Sequence, residues 1–428
     1  MTDATSLRAA LAESRERTRR VADDLGEERQ FGPQLPIVNP PRWELGHVGW
    51  FQEYWCLRRV EQGRHSLPRS PSILPGADEL YNSALVPHHS RWTLPLPALE
   101  ATLRYRDDVL ERVLRRFSGS ASGDDLYFAG LAVRHEDMHA EAFHYTRQTL
   151  GYPAPALPAR VHPAGGRIGG DAEIPGGLFP LGSIDDGRWA FDNEKWMHPV
   201  FVKPFRMART AVTCGEFVQF IDDGGYARED LWTAEGWRWK TAAGRSAPLH
   251  WRHAGNGWEL RRFDRWEALP EDEPVLHVAC HEAEAWCRHA GRRLPTEAEW
   301  EFAATWDPAA SRKRLHPWGD APWDPALANL ENATAASVHV YPAGDNPWGV
   351  RQLLGNTWEW TATPFLPYPG FFRDPYKEYS EPWFATHRVL RGGAYATSRR
   401  IAYATYRNFF TPDRADVFAG FRTCAVDG

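Results

Sequence analysis

Two histidines four residues apart, His135 and His139, bracket the stretch "HEDMH". Four residues is close to one turn of α-helix, so both imidazoles leave the same face. The spacing fits H-E-x-x-H, in which the paired imidazoles bind zinc and the glutamate is the base of a metalloprotease. The third ligand decides whether that chemistry or another belongs here. One protease class takes it from a downstream G-x-x-H, but those places hold Ala142 and Tyr145. Another takes a glutamate from a following helix, yet the chain runs straight into a Pro/Gly-rich segment. Upstream, His47 lies in "ELGHVGWF" beside Gly46 and Gly49, small neighbours that let another helix or a substrate come close. One imidazole from one helix and two from another make a three-histidine set with metal positions left open. The same residues also fit the ordinary role of partly buried, hydrogen-bonded histidines, His47 above all.

The elements that must position these residues are legible in outline. "SLRAALAESRERTRRVADDL" has helical periodicity, with Ser6 as its candidate cap. A second helix is predicted over 43–60, started by "NPP", a third over 96–117, and a fourth over 124–151, closed by Gly151. Four helices over residues 1–151 predict a helical bundle, whose core is a common place for a metal. Residues 152–175, "YPAPALPARVHPAGGRIGG" and its flanks, read as a linker or crossover. From 176 to 428 short apolar runs alternate with Gly, Pro and Trp turns. Only two strong helices stand out there, at "TCGEFVQFIDDGG" and "HEAEAWCRHAG". That half reads as an α+β domain rich in irregular loops.

Composition bounds the function. A length of 428 residues favours two domains. A net charge of −6 gives no reason to expect nucleic-acid or membrane partners. No run of about 18 apolar residues is present, and the N-terminus lacks an apolar signal core. Five widely spaced cysteines, an odd number, then predict reduced thiols and a cytoplasmic protein. The 21 tryptophans, many beside turn residues, predict loops pinned by buried aromatic plugs.

Six longer stretches carry a resemblance. "NPPRWELGHVGWFQEYW", "RHEDMHAE", "GNTWEWTATPFLPYPGF", "YKEYSEPWF", "RVLRGGAYAT" and "FAGFR" resemble the nonheme-iron sulfoxide synthases of ergothioneine biosynthesis. The resemblance spans essentially the whole chain. It implies a mixed multidomain fold, α plus α/β. The first half is similar to DinB-like four-helix bundles. The second is similar to the formylglycine-generating-enzyme (sulfatase-modifying factor) domain, a C-type-lectin-like α+β fold marked by "LPTEAEWEFAA" and "GNTWEWT". It also implies an O2-dependent oxidoreductase that binds Fe(II) through His47, His135 and His139. Such an enzyme joins a sulfur or selenium donor to imidazole C2 of hercynine, the trimethylated betaine of histidine. Glu136 and Asp137 then become supporting or surface groups.

The same resemblance implies catalytic work for "YKEYS". Tyr376 would supply a proton or electron in the oxygen step, and Tyr379 would shape the hercynine pocket. Asn408 and Phe409 stand where the family holds the substrate carboxylate. Met138 stands where members can carry a polar residue near the trimethylammonium group, whose charge suits aromatic faces. Cys424 reads as part of a structural strand, Cys280 and Cys287 as core, and "RRLPTE" as structural rather than phosphate-binding. The best-known branch grips γ-glutamylcysteine with two arginines in a "PRxSR"-like segment and with an Asp/Arg pair near the C-terminus. Here "PHHSR" offers His88 and Arg91, and "NFFTPDR" offers Phe410 and Arg414. Fewer fixed charges and an added aromatic face favour a sugar. With "EYWCLR" and "YRNFF", this resembles the selenoneine synthases, which take selenium from a selenosugar. Cysteine or γ-glutamylcysteine as donor is the alternative, followed by a zinc hydrolase and a non-catalytic lectin-like binding module.

Overall fold

The computed structural model describes residues 3–62, 65–68, 70–119, 121–158 and 160–426, with the side chains of 60–69 outside that description. The chain divides into two compact units. The first gathers Met1–Leu157 with Asp186–Trp189 and Arg373–Tyr379, and the second holds the remainder. The "YKEY" segment, read above as part of the C-terminal domain, therefore packs with the helices.

The helical unit contains α1 (Ala4–Ala22), α2 (Pro41–Glu53), α3 (Ala77–Tyr81), α4 (Leu99–Arg116) and α5 (Gly123–Leu150). Asp3, not Ser6, caps α1, because its carboxylate accepts from the Ser6 backbone N–H at 2.9 Å. The helix predicted over 43–60 is shorter. After Glu53 a π-helical turn, Tyr54–Arg58, leads into a hairpin of Arg59–Gln62 with His65–Pro68. Arg58 is drawn there by Asp78, at 2.7 and 3.0 Å, a pull from 20 residues away that local periodicity does not register. Helix α5 starts with a Ser122/Asp125 capping box and stops at Gly151, whose φ of 66° suits glycine.

One guanidinium binds four helices together. Arg15 of α1 donates to Glu136 of α5 at 2.7 Å, to the Arg106 carbonyl of α4 at 2.5 Å and to Gln52 of α2 at 3.0 Å. Both partners of the Arg15–Glu136 pair are buried. Glu136 is thus a buried partner of Arg15, which overturns the surface alternative for it and agrees with the sequence reading that it is not a protease base. Breaking such a pair strands a buried charge at a cost of about 3–5 kcal/mol. Arg15→Ala is expected to lose that much in urea unfolding, whereas Arg8→Ala, at an exposed position, changes little.

The second unit is built on two four-stranded sheets. One orders Arg292–Arg293, Cys424–Ala425, Phe205–Ala208 and Asp171–Ile174, all antiparallel. The other orders Asn408–Phe410, Arg388–Arg391, Trp358–Pro364 and Ala419–Gly420, the last pair parallel. The segment read as a linker, 152–175, thus ends in a strand. Its alternating Ala172 and Ile174 are buried, a signal too short to stand out beside the neighbouring glycines. Four helices are present rather than two: α6 (Cys214–Asp222), α7 (Ala234–Ala242), α8 (Cys280–His289) and α9 (Glu297–Thr305).

The family motifs of this unit are charge networks under the core. Glu297 and Glu301 of α9 accept from Arg391, and Glu297 also from Arg407. Glu359 of "GNTWEW" accepts from Arg422 and from the Trp300 indole at 2.8 Å. Arg292 and Arg293 of "RRLPTE" pair with Asp171 and Glu299. All five cysteines are buried and unpaired. Among the described residues no helix is long and apolar enough to cross a membrane.

Candidate metal centre

His47 faces inward from α2, and His135 and His139 from one face of α5. Their ligand nitrogens lie within 4.8 Å of one another. His135 Nε2 is 3.2 Å from His47 Nε2 and 3.2 Å from His139 Nε2. Nitrogens about 2.1 Å from one ion stand about 3.0 Å apart at right angles and about 3.4 Å apart at tetrahedral angles. The observed spacing falls between these and fits a first-row metal.

The outer nitrogens show which atoms are left to face a metal. His47 Nδ1 lies 2.8 Å from the Tyr81 carbonyl, and His139 Nδ1 lies 2.5 Å from Glu44 Oε1. A carbonyl and a carboxylate only accept, so both imidazoles donate from Nδ1 and turn an Nε2 lone pair inward. His135 Nδ1 is buried without a partner. A proton on His135 Nε2 could serve only one neighbour, whereas a cation serves all three lone pairs. Burial, with His139 close by, holds His47 and His135 well below the ordinary imidazole value, so they stay in the neutral form that binds metals.

Aromatic rings fix the imidazoles in place. Phe51 stacks flat on His135, with centroids 3.5 Å apart. Trp43 stacks on His47 at 4.8 Å, and the Arg91 guanidinium lies 3.8 Å over the Trp43 ring. Gly46 does not leave room for a substrate. A Cβ there would stand 2.2 Å from the Tyr81 ring, and one at Gly49 would press on the Arg106 backbone of α4. The two glycines let α3 and α4 close on α2, and with α3 comes the carbonyl that orients His47.

Tyr376 packs edge-on against Phe51 at 5.0 Å, with its ring 6.3 Å from His135. Burial raises its phenol well above the ordinary value, so the hydroxyl keeps its proton. Tyr379 Oη lies 3.7 Å from the Met138 sulfur. Arg91 donates to Asn39 at 2.6 Å and to the Val86 carbonyl at 3.3 Å, and burial lowers it to about 10. His88 Nε2 is tied to the Val38 carbonyl at 2.8 Å.

The helical unit thus brings together the three histidines, Met138, Tyr376, Tyr379 and Arg91. His88 lies in the same unit, and Asn408, Phe409, Phe410 and Arg414 belong to the second. There Phe409 stacks on Phe365 at 4.1 Å, and Asn408 turns its side-chain oxygen to the Phe409 N–H at 2.9 Å. Arg414 is held by Asp416 through two bonds of 2.5 and 2.6 Å and lies over Phe410 at 4.9 Å. That ion pair already engages the cation which the sequence reading offered to a donor. Sequence reasoning also passed over Glu44, one turn before His47 on α2, and Tyr81, whose contribution is a backbone carbonyl with no sequence signal.

Residues 10–142 match the DinB superfamily, and residues 162–426 match the sulfatase-modifying factor enzyme 1-like domain. A DinB-type helical unit and a sulfatase-modifying-factor-type domain in one chain set the class of this protein. The Hercynine oxygenase of Mycolicibacterium thermoresistibile is 38% identical over 425 residues, covering 96% of this chain and 93% of its own. That of Mycobacterium tuberculosis is 38% identical over 433 residues and 99% of both chains. The Formylglycine-generating enzyme of Streptomyces coelicolor is 30% identical over 64% of this chain and 95% of its own. The chain belongs to the hercynine oxygenase family.

Proposed function

We propose that this protein is an O2-dependent nonheme Fe(II) enzyme that forms a carbon–chalcogen bond at imidazole C2 of hercynine. The observation that carries the reading is the convergence of three imidazole nitrogens in a chain 38% identical to named hercynine oxygenases. Iron held by His47, His135 and His139 would supply the redox chemistry that O2 requires and an open position for a soft chalcogen. The protein's own residues do the rest. Phe51, Trp43 and the outer hydrogen bonds hold the imidazoles, and their apolar faces exclude water. Tyr376, whose ring lies 6.3 Å from that of His135 and whose hydroxyl burial keeps protonated, is assigned the proton donor's part. Met138 is assigned to the trimethylammonium end of hercynine, and Tyr379 to shaping the hercynine pocket.

For the donor we favour a selenosugar, which makes the product a selenoneine-type compound. Arg414 is already neutralised by Asp416, Phe410 offers a ring face, and His88 is tied to a backbone carbonyl. These features suit a hydroxylated ring better than two carboxylates. Arg91 favours the second reading, because a half-buried guanidinium with no carboxylate hydrogen-bonded to it among the described residues suits an anionic thiol donor such as cysteine or γ-glutamylcysteine. Oxygen uptake tests the function itself. Iron-loaded protein is expected to consume O2 with hercynine and a donor, and much less with either omitted. Uptake indifferent to hercynine would contradict the reading.

A further inference from the structure

Glu44 stands out among the groups behind the three imidazoles. Its side chain is buried in α2, yet one oxygen alone finds a partner, His139 Nδ1 at 2.5 Å. The other oxygen, Oε2, is buried with no hydrogen bond among the described residues. A carboxylate kept for structure satisfies several donors, as Glu53 does with Tyr105, Ser72 and the Ile73 N–H in the same helix. Glu44 ties nothing else together. A buried anion so poorly satisfied is costly unless positive charge lies close by. The Arg91 guanidinium supplies part of it, without a hydrogen bond to Oε2, and a cation at the histidine nitrogens would supply the rest through the His139 ring.

The three imidazoles are also backed unequally. His47 Nδ1 has a backbone carbonyl behind it, His135 Nδ1 has no hydrogen-bond partner among the described residues, and His139 Nδ1 has a carboxyl group. His139 is the ligand that retains exposure, 18% of its side chain, while His47 and His135 are buried. The ligand with the least packing around it has the strongest hydrogen bond behind it.

From this we infer that Glu44 is a positioning residue that fixes the His139 ring and tautomer and strengthens its hold on a divalent metal. The inference rests on the three-histidine metal reading above. Glu44 touches neither substrate nor reacting atoms; it acts through His139. Loss of such an outer partner commonly weakens metal binding 10–100-fold.

Cobalt(II) titration of the metal-stripped, full-length chain tests this, with visible absorption as readout and thermal melting as fold control. Glu44→Gln keeps an acceptor but removes the charge, and is expected to bind cobalt about 10-fold more weakly. Glu44→Ala removes both, and is expected to lose about 100-fold with an altered visible spectrum. If Glu44→Ala fails to fold, Glu44→Gln alone decides. Affinities within twofold of wild type and an unchanged spectrum in the folded variants would overturn the inference while leaving the metal reading intact. A wild-type chain that binds no cobalt would overturn both.

Discussion

Tyr376→Phe is expected to leave fold and metal binding unchanged and to slow carbon–chalcogen bond formation by about 10²–10⁴-fold. The substitution keeps the ring, and with it the edge-on packing against Phe51 at 5.0 Å. It removes only the hydroxyl, which burial keeps protonated. A proton donor positioned in the transition state contributes in that range. Single-turnover product analysis separates the outcomes. Hercynine should still bind, while product shifts toward simple oxidation of the donor. An unchanged rate and product ratio would assign the hydroxyl no part in the reaction and turn attention to Tyr379.

The donor is expected to be the second large effect. γ-Glutamylcysteine presents two carboxylates and an ammonium group. His88 and Phe410 stand where the resembled sulfur enzymes place an arginine and an acid, and Arg414 is taken by Asp416. Each lost charge-assisted hydrogen bond costs about 1.5–3 kcal/mol. Two losses therefore weaken that donor by about two to four powers of ten. A neutral sugar loses little by the same changes and gains a ring face at Phe410. At equal concentrations of a 1-seleno sugar and γ-glutamylcysteine, with hercynine and O2, the selenium product should dominate, in the ratio of the two kcat/KM values. A dominant sulfoxide would return the protein to the sulfur branch.

The parts of this site that sequence revealed are those whose chemistry repeats at helical spacing. His135 and His139 announce themselves by their separation, and His47 by its place in an apolar helix. The residues that make them a site were less visible. Tyr81 acts through a carbonyl that any residue could supply, and its helix spans only Ala77–Tyr81. Glu44 reads as one more helix carboxylate until the fold sets it against His139, 95 residues away. Arg15 looks like part of a solvated charge run, "ESRERTRR", because nothing local shows that Gln52, Arg106 and Glu136 will surround it. Long-range pairing also explains the shortened α2 and the strand Asp171–Ile174. In each case a partner distant in sequence outweighs the local pattern.

The central claim is that His47, His135 and His139 hold Fe(II). The most direct measurement is metal content per chain, by mass spectrometry, after anaerobic purification and reloading with equal iron and zinc. Wild-type protein should carry one iron per chain and support hercynine-dependent O2 uptake. His139→Ala should lose both the metal and the uptake while melting at nearly the wild-type temperature. Full iron occupancy in folded His139→Ala, or a wild-type chain active only with zinc, would contradict the account.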